Sequence, residues 1–438
     1  MRNLVAMLFA LALLLPGTAT NAALRVDISR GVQAPITIAV PYFAQGAGPA
    51  VDAGLGRQLA DVIQADLGST GFLRPLPRSS YSAALPAPDA VRPRFAIWKA
   101  DAAQLLVSGV VQAEPGGWLT LDCRLFDVFS ETQVFSRSIR ARVGDWRRVS
   151  HQCANLVYET LVGEPGYFDS RIIYVDESGN KVGRVRRLAE MDYDGANHIY
   201  LTKGKQQVST PRYAASGGRI AYMAFAGRVS KIFILDLEKR SSQEVGTITG
   251  MAFGPRFSPD GRTLVMSVAR GTDVNIYAVD IATGVTAALT SVAGINASAN
   301  YSPDGRDIIF ESSRSGSQQV YRMNADGTGQ RRISFGGGSY GTPVWSPRGD
   351  AIAVTRIAGG EFHIATLRPD GSGERVVSSG RHDEAPSWAA NGRAIVFTRF
   401  GRGSTLPQLW VVDLVGLASH RIETPQGGSD PSWSPARR

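Results

Sequence analysis

The sequence predicts a two-domain protein, in which a small α/β N-terminal domain is followed by an all-β six-bladed β-propeller closed by the C-terminal strand. Three observations support this fold: an aromatic anchor that recurs six times, incomplete repeats at both ends of the array, and a preceding segment without the repeat. The anchor aromatics, which are 44, 44, 44, 43 and 45 residues apart, are Tyr213, Phe257, Tyr301, Trp345, Trp388 and Trp433.

Each repeat has the strand pattern of a propeller blade. The anchor is followed by a turn of the Ser-Pro-Asp-Gly type, in which Pro fixes φ and Gly accepts a positive φ. Apolar runs such as 307–311 and 320–324 come next, and a Gly-containing hairpin turn leads to the fourth strand. Four short strands in a period of this length indicate one blade of a propeller.

The ends of the array predict how the ring closes. The last unit contains only the strand around Trp433, whereas the segment 171–202 has three strands and no anchor. We expect strand 430–434 to complete the blade that begins at residue 171, which leaves no free sheet edge. An open solenoid is the alternative, but it requires a capping repeat at each end, and the sequence shows neither.

Residues 23–163 lack the repeat and indicate a small α/β domain, which leaves residues 164–438 for the propeller. Apolar residues at helical and alternating spacing locate its elements. The predicted elements are a strand at 36–40, a helix at 55–67, a three-stranded meander within 105–142, and a helix at 145–162 with Asp145 as its N-cap.

The two cysteines both lie on apolar faces of this domain. Cys123 belongs to a predicted strand and Cys153 to the apolar stripe of the second helix. A disulfide and two buried thiols both fit, because sequence spacing does not determine the geometry. Neither cysteine has the neighbours of a metal site.

Residues 1–22 have the pattern of a secretory signal peptide. Arg2 precedes an apolar run of 12 residues, and the predicted cleavage lies between Ala22 and Ala23. A membrane anchor is the alternative, but a spanning helix needs about 20 apolar residues. We therefore expect an exported protein that is not membrane-embedded. Its charge of +9 favours anionic surroundings, but the basic residues form no patch typical of nucleic-acid binding.

Motifs that resemble catalytic or ligand sites are better explained by the repeat. Gly337–Gly341 matches the pattern around a hydrolase nucleophile at Ser339, but it lies in a loop before an anchor rather than at a strand-to-helix turn. Gly46–Gly48 lacks the third glycine of a dinucleotide loop, and Asp192–Gly195 lacks the closing Glu of a calcium loop. The five histidines show no ligand spacing. No catalytic residue, cofactor or metal is predicted.

The remaining candidate site is one mouth of the ring. A short segment precedes each anchor, and we expect the six segments to be loops that converge on one end of the central channel. Small, polar and Pro-containing segments make a preorganised concave surface; the alternative is that they only cap the channel. The segments are 208–211, 251–255, 295–298, 340–343, 383–386 and 428–431.

The domain order, the domain sizes and the segments Leu24–Gly31 and Pro35–Pro41 resemble the TolB family over the whole chain. The resemblance implies a monomeric, non-enzymatic periplasmic adaptor of the Tol–Pal system, which supports outer-membrane integrity and constriction during cell division. The implied partners are a Pal-like outer-membrane lipoprotein at the propeller mouth and a TolA-like inner-membrane protein at residues 23–34.

Carried onto this chain, the implied contacts fall in two places. The TolA-like contacts are Leu24, Val26, Asp27 and Ile28. The Pal-like contacts are Ser209, Thr210, Met251, Phe253, Gly254, Pro255, Asn296, Ala297, Thr342, Pro343, Glu384 and Asp430. The chain departs from the family at Met251–Gly254, where the family has a polar loop that contains His.

Two other functions are compatible with an exported propeller. One is a hydrolase, for which Ser339 is the candidate nucleophile. The other is a propeller that binds cell-wall carbohydrate through its positive charge.

Overall fold

The computed structural model describes residues 34–46, 52, 54–82, 90–180, 183–227, 229–246, 248–403 and 405–437. The predicted cleavage site at Ala22 and Ala23 and the TolA-like contacts Leu24, Val26, Asp27 and Ile28 lie outside these residues. None of the helices in these ranges has both the length and the apolar character that crossing a bilayer requires.

The N-terminal domain is a twisted sheet covered by helices. Its elements are β1 (Ile36–Ala39), β2 (Ala44–Gln45), α1 (Leu55–Ser69), β3 (Leu73–Pro75), α2 (Phe95–Ala100), β4 (Leu105–Glu114), β5 (Trp118–Asp127), β6 (Thr132–Arg142) and α3 (Trp146–Val162). The strands lie in the order β3-β1-β4-β5-β6, with β2 beside β4. Leu59 and Ile63 of α1 pack with Val157 and Leu161 of α3 in one buried core. Asp145 precedes α3 as predicted, but its side chain makes no capping hydrogen bond.

A disulfide joins the sheet to α3. Cys123 of β5 and Cys153 of α3 have their sulfur atoms 2.00 Å apart and their Cα atoms 5.9 Å apart. The structure thus selects the disulfide from the two alternatives that the sequence left open. A cross-link across 30 residues stabilises a fold by about 3–4 kcal/mol, because it restricts the unfolded chain.

The ring consists of six four-stranded antiparallel sheets, numbered here as blades I to VI. From the innermost strand outward, the strands of blades I to III are β10 (Val208–Tyr213), β11 (Arg219–Ala226), β12 (Val229–Asp236) and β13 (Ser241–Glu244); β14 (Met251–Phe257), β15 (Thr263–Arg270), β16 (Asp273–Asp280) and β17 (Thr286–Ala288); and β18 (Asn296–Tyr301), β19 (Asp307–Ser312), β20 (Gln319–Asn324) and β21 (Arg331–Arg332). Those of blades IV to VI are β22 (Ser339–Trp345), β23 (Ile352–Ala358), β24 (Glu361–Leu367) and β25 (Arg375–Val376); β26 (Asp383–Trp388), β27 (Ala394–Arg399), β28 (Gln408–Asp413) and β29 (Ser419–Ile422); and β30 (Gly427–Trp433), β7 (Arg171–Ser178), β8 (Val185–Asp192) and β9 (Ile199–Tyr200).

The C-terminal strand closes the ring. β30 pairs antiparallel with β7, so that Trp433 lies opposite Ile172. The Trp433 indole is buried and donates a hydrogen bond to Ser170 Oγ at 2.7 Å. The predicted six-bladed ring with a shared last blade is therefore confirmed.

Neighbouring blades pack face to face through the side chains that alternate along their strands. Between blades IV and V, for example, Val344 and Ile364 pack against Ile395 and Phe397. The Trp388 indole nitrogen donates to the carbonyl of Val344 at 3.0 Å across the same boundary. Each inner strand is therefore held from both sides, which gives the channel a rigid wall.

Candidate partner-binding site at the mouth of the ring

The inner strands all run in the same direction along the channel, so the ring has two different ends. We call the end at which these strands begin the mouth end, and the end that carries the aromatic anchors the anchor end. The prediction that the six pre-anchor segments are loops is wrong. They lie within the inner strands, because β10, β14, β18, β22, β26 and β30 begin well before their anchors.

Each inner strand carries a β-bulge at the same repeat position. The pairing register shifts between Ser209 and Arg212 in β10, and likewise in the other five inner strands. The bulge residue has a φ between 45° and 59° in all six blades, which is uncommon for any residue except Gly. These bulge residues are Thr210, Gly254, Ser298, Thr342, Ala385 and Asp430.

The left-handed conformation turns the bulge amide toward the neighbouring blade. Thr342 N–H donates to Glu311 Oε2 at 2.8 Å, and Thr210 N–H donates to Asp430 Oδ2 at 3.2 Å. Two further amides do the same: Ser298 N–H to Ser267 Oγ, and Asp430 N–H to Thr398 Oγ1, both at 3.1 Å. Burial raises the pKa of Glu311, whose carboxyl group accepts the hydrogen bond from Thr342. These bonds fix the strained backbone, and strained backbone is typical of functional surfaces.

The predicted Pal-like contacts differ in their exposure. Met251 is 49% exposed. Pro255, Asn296, Ala297 and Pro343 are buried, and Asn296 receives hydrogen bonds from Ser312 Oγ and Arg314 Nη2. These four residues shape the site but offer no free surface. The partly exposed residues are Ser209, Thr210, Phe253, Gly254, Thr342, Glu384 and Asp430.

Sequence reasoning identified Met251 but missed three further exposed apolar residues at the mouth end. Ile295, Phe335 and Phe400 are 42%, 74% and 39% exposed, and with Met251 they lie beside the inner strands of blades II to V. We call these four residues the apolar rim. Apolar side chains exposed together mark a surface that another molecule covers. A sequence signal exists, because Met251 begins an inner strand, and Ile295 and Phe335 precede one, at a place where a propeller needs no apolar residue.

Aromatic stacking fixes one part of the rim. The ring of His382 stacks on Phe362 with centroids 4.3 Å apart, and lies 4.8 Å from the ring of Phe400. His382 Nε2 is 3.2 Å from Glu384 Oε2. Glu384 is thereby held next to the exposed face of Phe400.

The N-terminal domain is docked on the other end of the ring. Glu164, which follows α3, makes ion pairs with Arg348 and Arg393. Gly71 and Gly416 meet so closely that a Cβ on Gly416 would lie 2.1 Å from the Thr70 carbonyl oxygen. The ring residues in these contacts all belong to anchor-end turns, so the described part of the N-terminal domain leaves the mouth end open.

A buried polar cluster lies at this domain boundary. Asp66 Oδ2 is 2.8 Å from His151 Nδ1, and Asp66 Oδ1 accepts a hydrogen bond from the Tyr193 hydroxyl at 2.6 Å. Burial raises the pKa of Asp66. Burial opposes a charge on His151, but Asp66 and Asp194 outweigh it and raise the pKa of His151.

The same cluster brings potential metal ligands together in space, although the five histidines show no ligand spacing in the sequence. One ligand atom each from Asp66, His151 and Asp194 lie within 4.8 Å of one another. However, Arg147 pairs with Asp194, and both oxygens of Asp66 already accept hydrogen bonds. These contacts join the α1–α3 face to the β8–β9 turn, and within the described residues His151 Nε2 is buried without a hydrogen-bond partner.

The motifs that resembled other sites have ordinary positions. Ser339 is the first residue of β22 and follows a loop, so it lacks the strand-to-helix turn of a hydrolase nucleophile. Gly195 N–H donates to the Asp192 carbonyl at 2.9 Å, which makes Asp192–Gly195 a turn. Of the Gly46–Gly48 motif, only Gly46 lies within the described residues.

The fold and the site define a class of protein. It is a closed six-bladed propeller with an α/β domain docked on one end and a partly apolar mouth at the other.

Two families match the chain. The family described as TolB beta propeller domain matches residues 158–437, and the family described as TolB amino-terminal domain matches residues 24–134. The chain belongs to the TolB family.

Relatives and solved structures agree with this assignment. A "Tol-Pal system protein TolB" from Zymomonas mobilis subsp. mobilis is 53% identical over 416 residues, which are 94% of this chain and 90% of that protein. One from Rhizorhabdus wittichii is 45% identical over 228 residues, 50% of this chain and 52% of that protein. The crystal structure of TolB from Acinetobacter baumannii has a TM-score of 0.82 at 23% identity and covers 92% of this chain and 98% of that one, which supports the fold.

Proposed function

We propose that this chain is a periplasmic, non-enzymatic adaptor of a Tol-Pal system, and that its mouth end binds a Pal-like outer-membrane lipoprotein. The relatives, which are Tol-Pal system proteins, support the assignment of this chain to such a system. The observation that carries the proposal is the open mouth end, where a rigid bulged wall is bordered by the apolar rim. A rigid surface loses little conformational entropy on binding, and exposed apolar anchors supply much of the energy of an interface.

The partly exposed wall residues give this surface its specificity. Asp430, Glu384 and Thr342 offer polar groups beside the apolar contacts of Met251 and Phe253. The apolar character at Met251 replaces the polar, His-containing loop of the family. We therefore propose that the Pal-like partner of this chain has an apolar side chain opposite blade II.

The TolA-like contact is a separate proposal. We propose that residues 23–34, with Leu24, Val26, Asp27 and Ile28, bind a TolA-like inner-membrane protein after cleavage between Ala22 and Ala23. This assignment is supported by the resemblance of the segment to the family. An adaptor that reaches both membranes in this way would support outer-membrane integrity and constriction at division.

Calorimetric titration with the soluble domain of the Pal-like protein from the same organism tests the mouth. Met251→Lys places a charge in the rim, and we expect it to weaken binding by about tenfold or more. Val376→Lys is the matched control, because Val376 is 45% exposed on the outer strand β25; its affinity should stay within about twofold of the original. Equal binding by both variants, or no binding by the unmodified protein, would contradict the proposal.

Deletion of residues 23–33 tests the second contact. The deleted protein should lose binding to the TolA-like partner and keep its affinity for the Pal-like domain. Retained binding to the TolA-like partner would show that the segment is not the contact.

A further inference from the structure

The channel contains a cavity at the anchor end, away from the mouth site. It has a volume of about 460 Å³, and each inner strand contributes its anchor aromatic and the residue before it to the lining. The residue before each anchor lies two positions after the bulge, and we call these six residues the inner layer. This inner layer consists of Arg212, Arg256, Asn300, Val344, Ser387 and Ser432. Both positive charges therefore lie on adjacent strands, β10 and β14, and face the same space.

The other polar members of the inner layer have structural partners. Asn300 Oδ1 accepts a hydrogen bond from Trp345 N–H at 2.7 Å, and Ser387 Oγ accepts one from Trp433 N–H at 3.0 Å. They are used to join neighbouring blades. Arg212 also joins two blades, because its Nη1 donates to the carbonyls of Asp430 and Pro431 in blade VI, but these bonds leave its positive charge without a carboxylate partner among the described residues.

The two arginines lack a counter-charge. No carboxylate of the described residues lies within ion-pair distance of Arg212 or Arg256. Arg212 is 8% exposed and donates only through Nη1, to the carbonyls of Pro211, Asp430 and Pro431. Arg256 has no hydrogen-bond partner in the described part of the chain. Burial lowers the pKa of both guanidinium groups, and Arg212 lowers that of Arg256 further.

Physical chemistry requires compensation for such a pair. A guanidinium stays charged in proteins, and a positive charge that is partly or fully buried without a carboxylate beside it is unfavourable; Arg212 is buried and Arg256 is partly exposed. The Asp430 carboxylate, which acts on Arg212 from a distance, is bonded to the Thr210 amide. Since the described residues place no carboxylate beside the pair, an anion bound in the cavity would supply the negative charge.

We propose that this cavity is an anion-binding site, in which Arg212 and Arg256 hold a carboxylate or phosphate group. The planar guanidinium presents paired donors that match both groups. The volume exceeds what a bare anion fills and lies in the range of small-molecule sites. At the entrance, Pro259, Pro303 and Pro347 present apolar surface, which suits a ligand with an anionic end and an apolar or ring-shaped body.

The entrance is connected to the domain boundary. Ala390 and Ala436 line both this cavity and a crevice of about 590 Å³ between the ring and the α3–β6 side of the N-terminal domain. A ligand can therefore reach the arginines without passing the mouth. The site is independent of the proposed contact with a Pal-like protein.

The test is calorimetric titration of the purified protein with inorganic phosphate and, separately, with succinate, in chloride buffer of constant ionic strength. We expect saturable binding of at least one anion, and the stronger of the two identifies the preferred group. Arg256→Gln should weaken binding by at least about tenfold, because a charged hydrogen bond is lost. Arg256→Lys keeps the charge and should weaken it less.

Arg375→Gln is the matched control, because Arg375 is exposed on β25 and should bind as the unmodified protein does. In the absence of either anion, the thermal midpoint of Arg256→Gln should be equal to or above that of the unmodified protein, since an unpaired charge is removed. If Arg256→Gln does not fold, Arg212→Gln and Arg256→Lys carry the same test. The proposal is overturned if neither anion binds, or if the channel variants bind as tightly as the control.

Discussion

The anchor end and the mouth end are built from the same strands but use their polar groups differently. At the anchor end, the carboxylates of Asp66 and Asp413 are buried and accept hydrogen bonds from the ring residue Tyr193 and from Tyr167, which precedes β7. At the mouth end, polar groups join one blade to the next, while Met251 and Phe335 remain exposed. We therefore expect the docked anchor end to carry stability and the open mouth end to carry binding. Single substitutions at the two ends should then have different effects on the free energy of unfolding.

The largest expected effect is at the closing strand. Trp433 is 4% exposed and packs against the rings of Tyr167 and Tyr193. Trp433→Ala should lower the free energy of unfolding by about 3–5 kcal/mol, as expected for a buried aromatic residue. Urea-induced unfolding measures this change.

Phe335→Ala provides the comparison at the open end. Phe335 is also a large aromatic residue, but it is 74% exposed, and its removal should change the free energy of unfolding by less than about 0.5 kcal/mol. Similar losses from both substitutions would mean that the mouth end carries as much of the stability as the docked end.

Asp413 and Asp280 end the third strands of blades V and II, and their contributions to the free energy of unfolding should depend on pH with opposite signs. Burial raises the pKa of Asp413 from 3.8 to about 6. Since the folded pKa lies above the unfolded one, the contribution of Asp413 to stability is complete below pH 3.8 and is lost as the pH rises through about 6. The corresponding loss is about 3 kcal/mol. Asp413→Asn should remove this fall in unfolding experiments between pH 4 and 7.

Asp280 occupies the same repeat position in blade II but is partly exposed. The amide and hydroxyl of Thr283 lower its pKa, so its contribution is present above pH 3.8 and is lost as the pH falls through the folded pKa. Asp280→Asn should therefore leave the slope between pH 4 and 7 unchanged. If Asp413→Asn also left it unchanged, the buried carboxyl at the docked end would not titrate as described.

The repeated anchors were sufficient to predict the six-bladed ring. The incomplete repeat around Trp433 was sufficient to predict how the ring closes. The β-bulges could not be predicted, because Gly254 is the only one of the six bulge residues whose type indicates a positive φ. The contact between Asp66 and His151 joins residues 85 positions apart, and no local pattern reports such a pairing. The charges of Arg212 and Arg256 were visible, but their lack of partners appears only when the inner strands form a channel.

A smaller effect than those of Trp433→Ala and Asp413→Asn concerns the strain in the mouth wall. Thr210 has a φ of 48°, and its Oγ1 is buried without a hydrogen-bond partner. Both features are unfavourable for a β-branched residue. Thr210→Gly should therefore raise the free energy of unfolding by about 0.5–1 kcal/mol. The substitution removes the strain of the left-handed conformation and the unpaired hydroxyl, and this gain exceeds the entropy cost of ordering the more flexible Gly on folding. Ser209→Gly, one residue earlier and outside the strained position, should lower it by about 0.5–1 kcal/mol. If both variants were destabilised alike in urea unfolding, Thr210 would carry no strain, and the mouth end would be built for stability in the same way as the docked end.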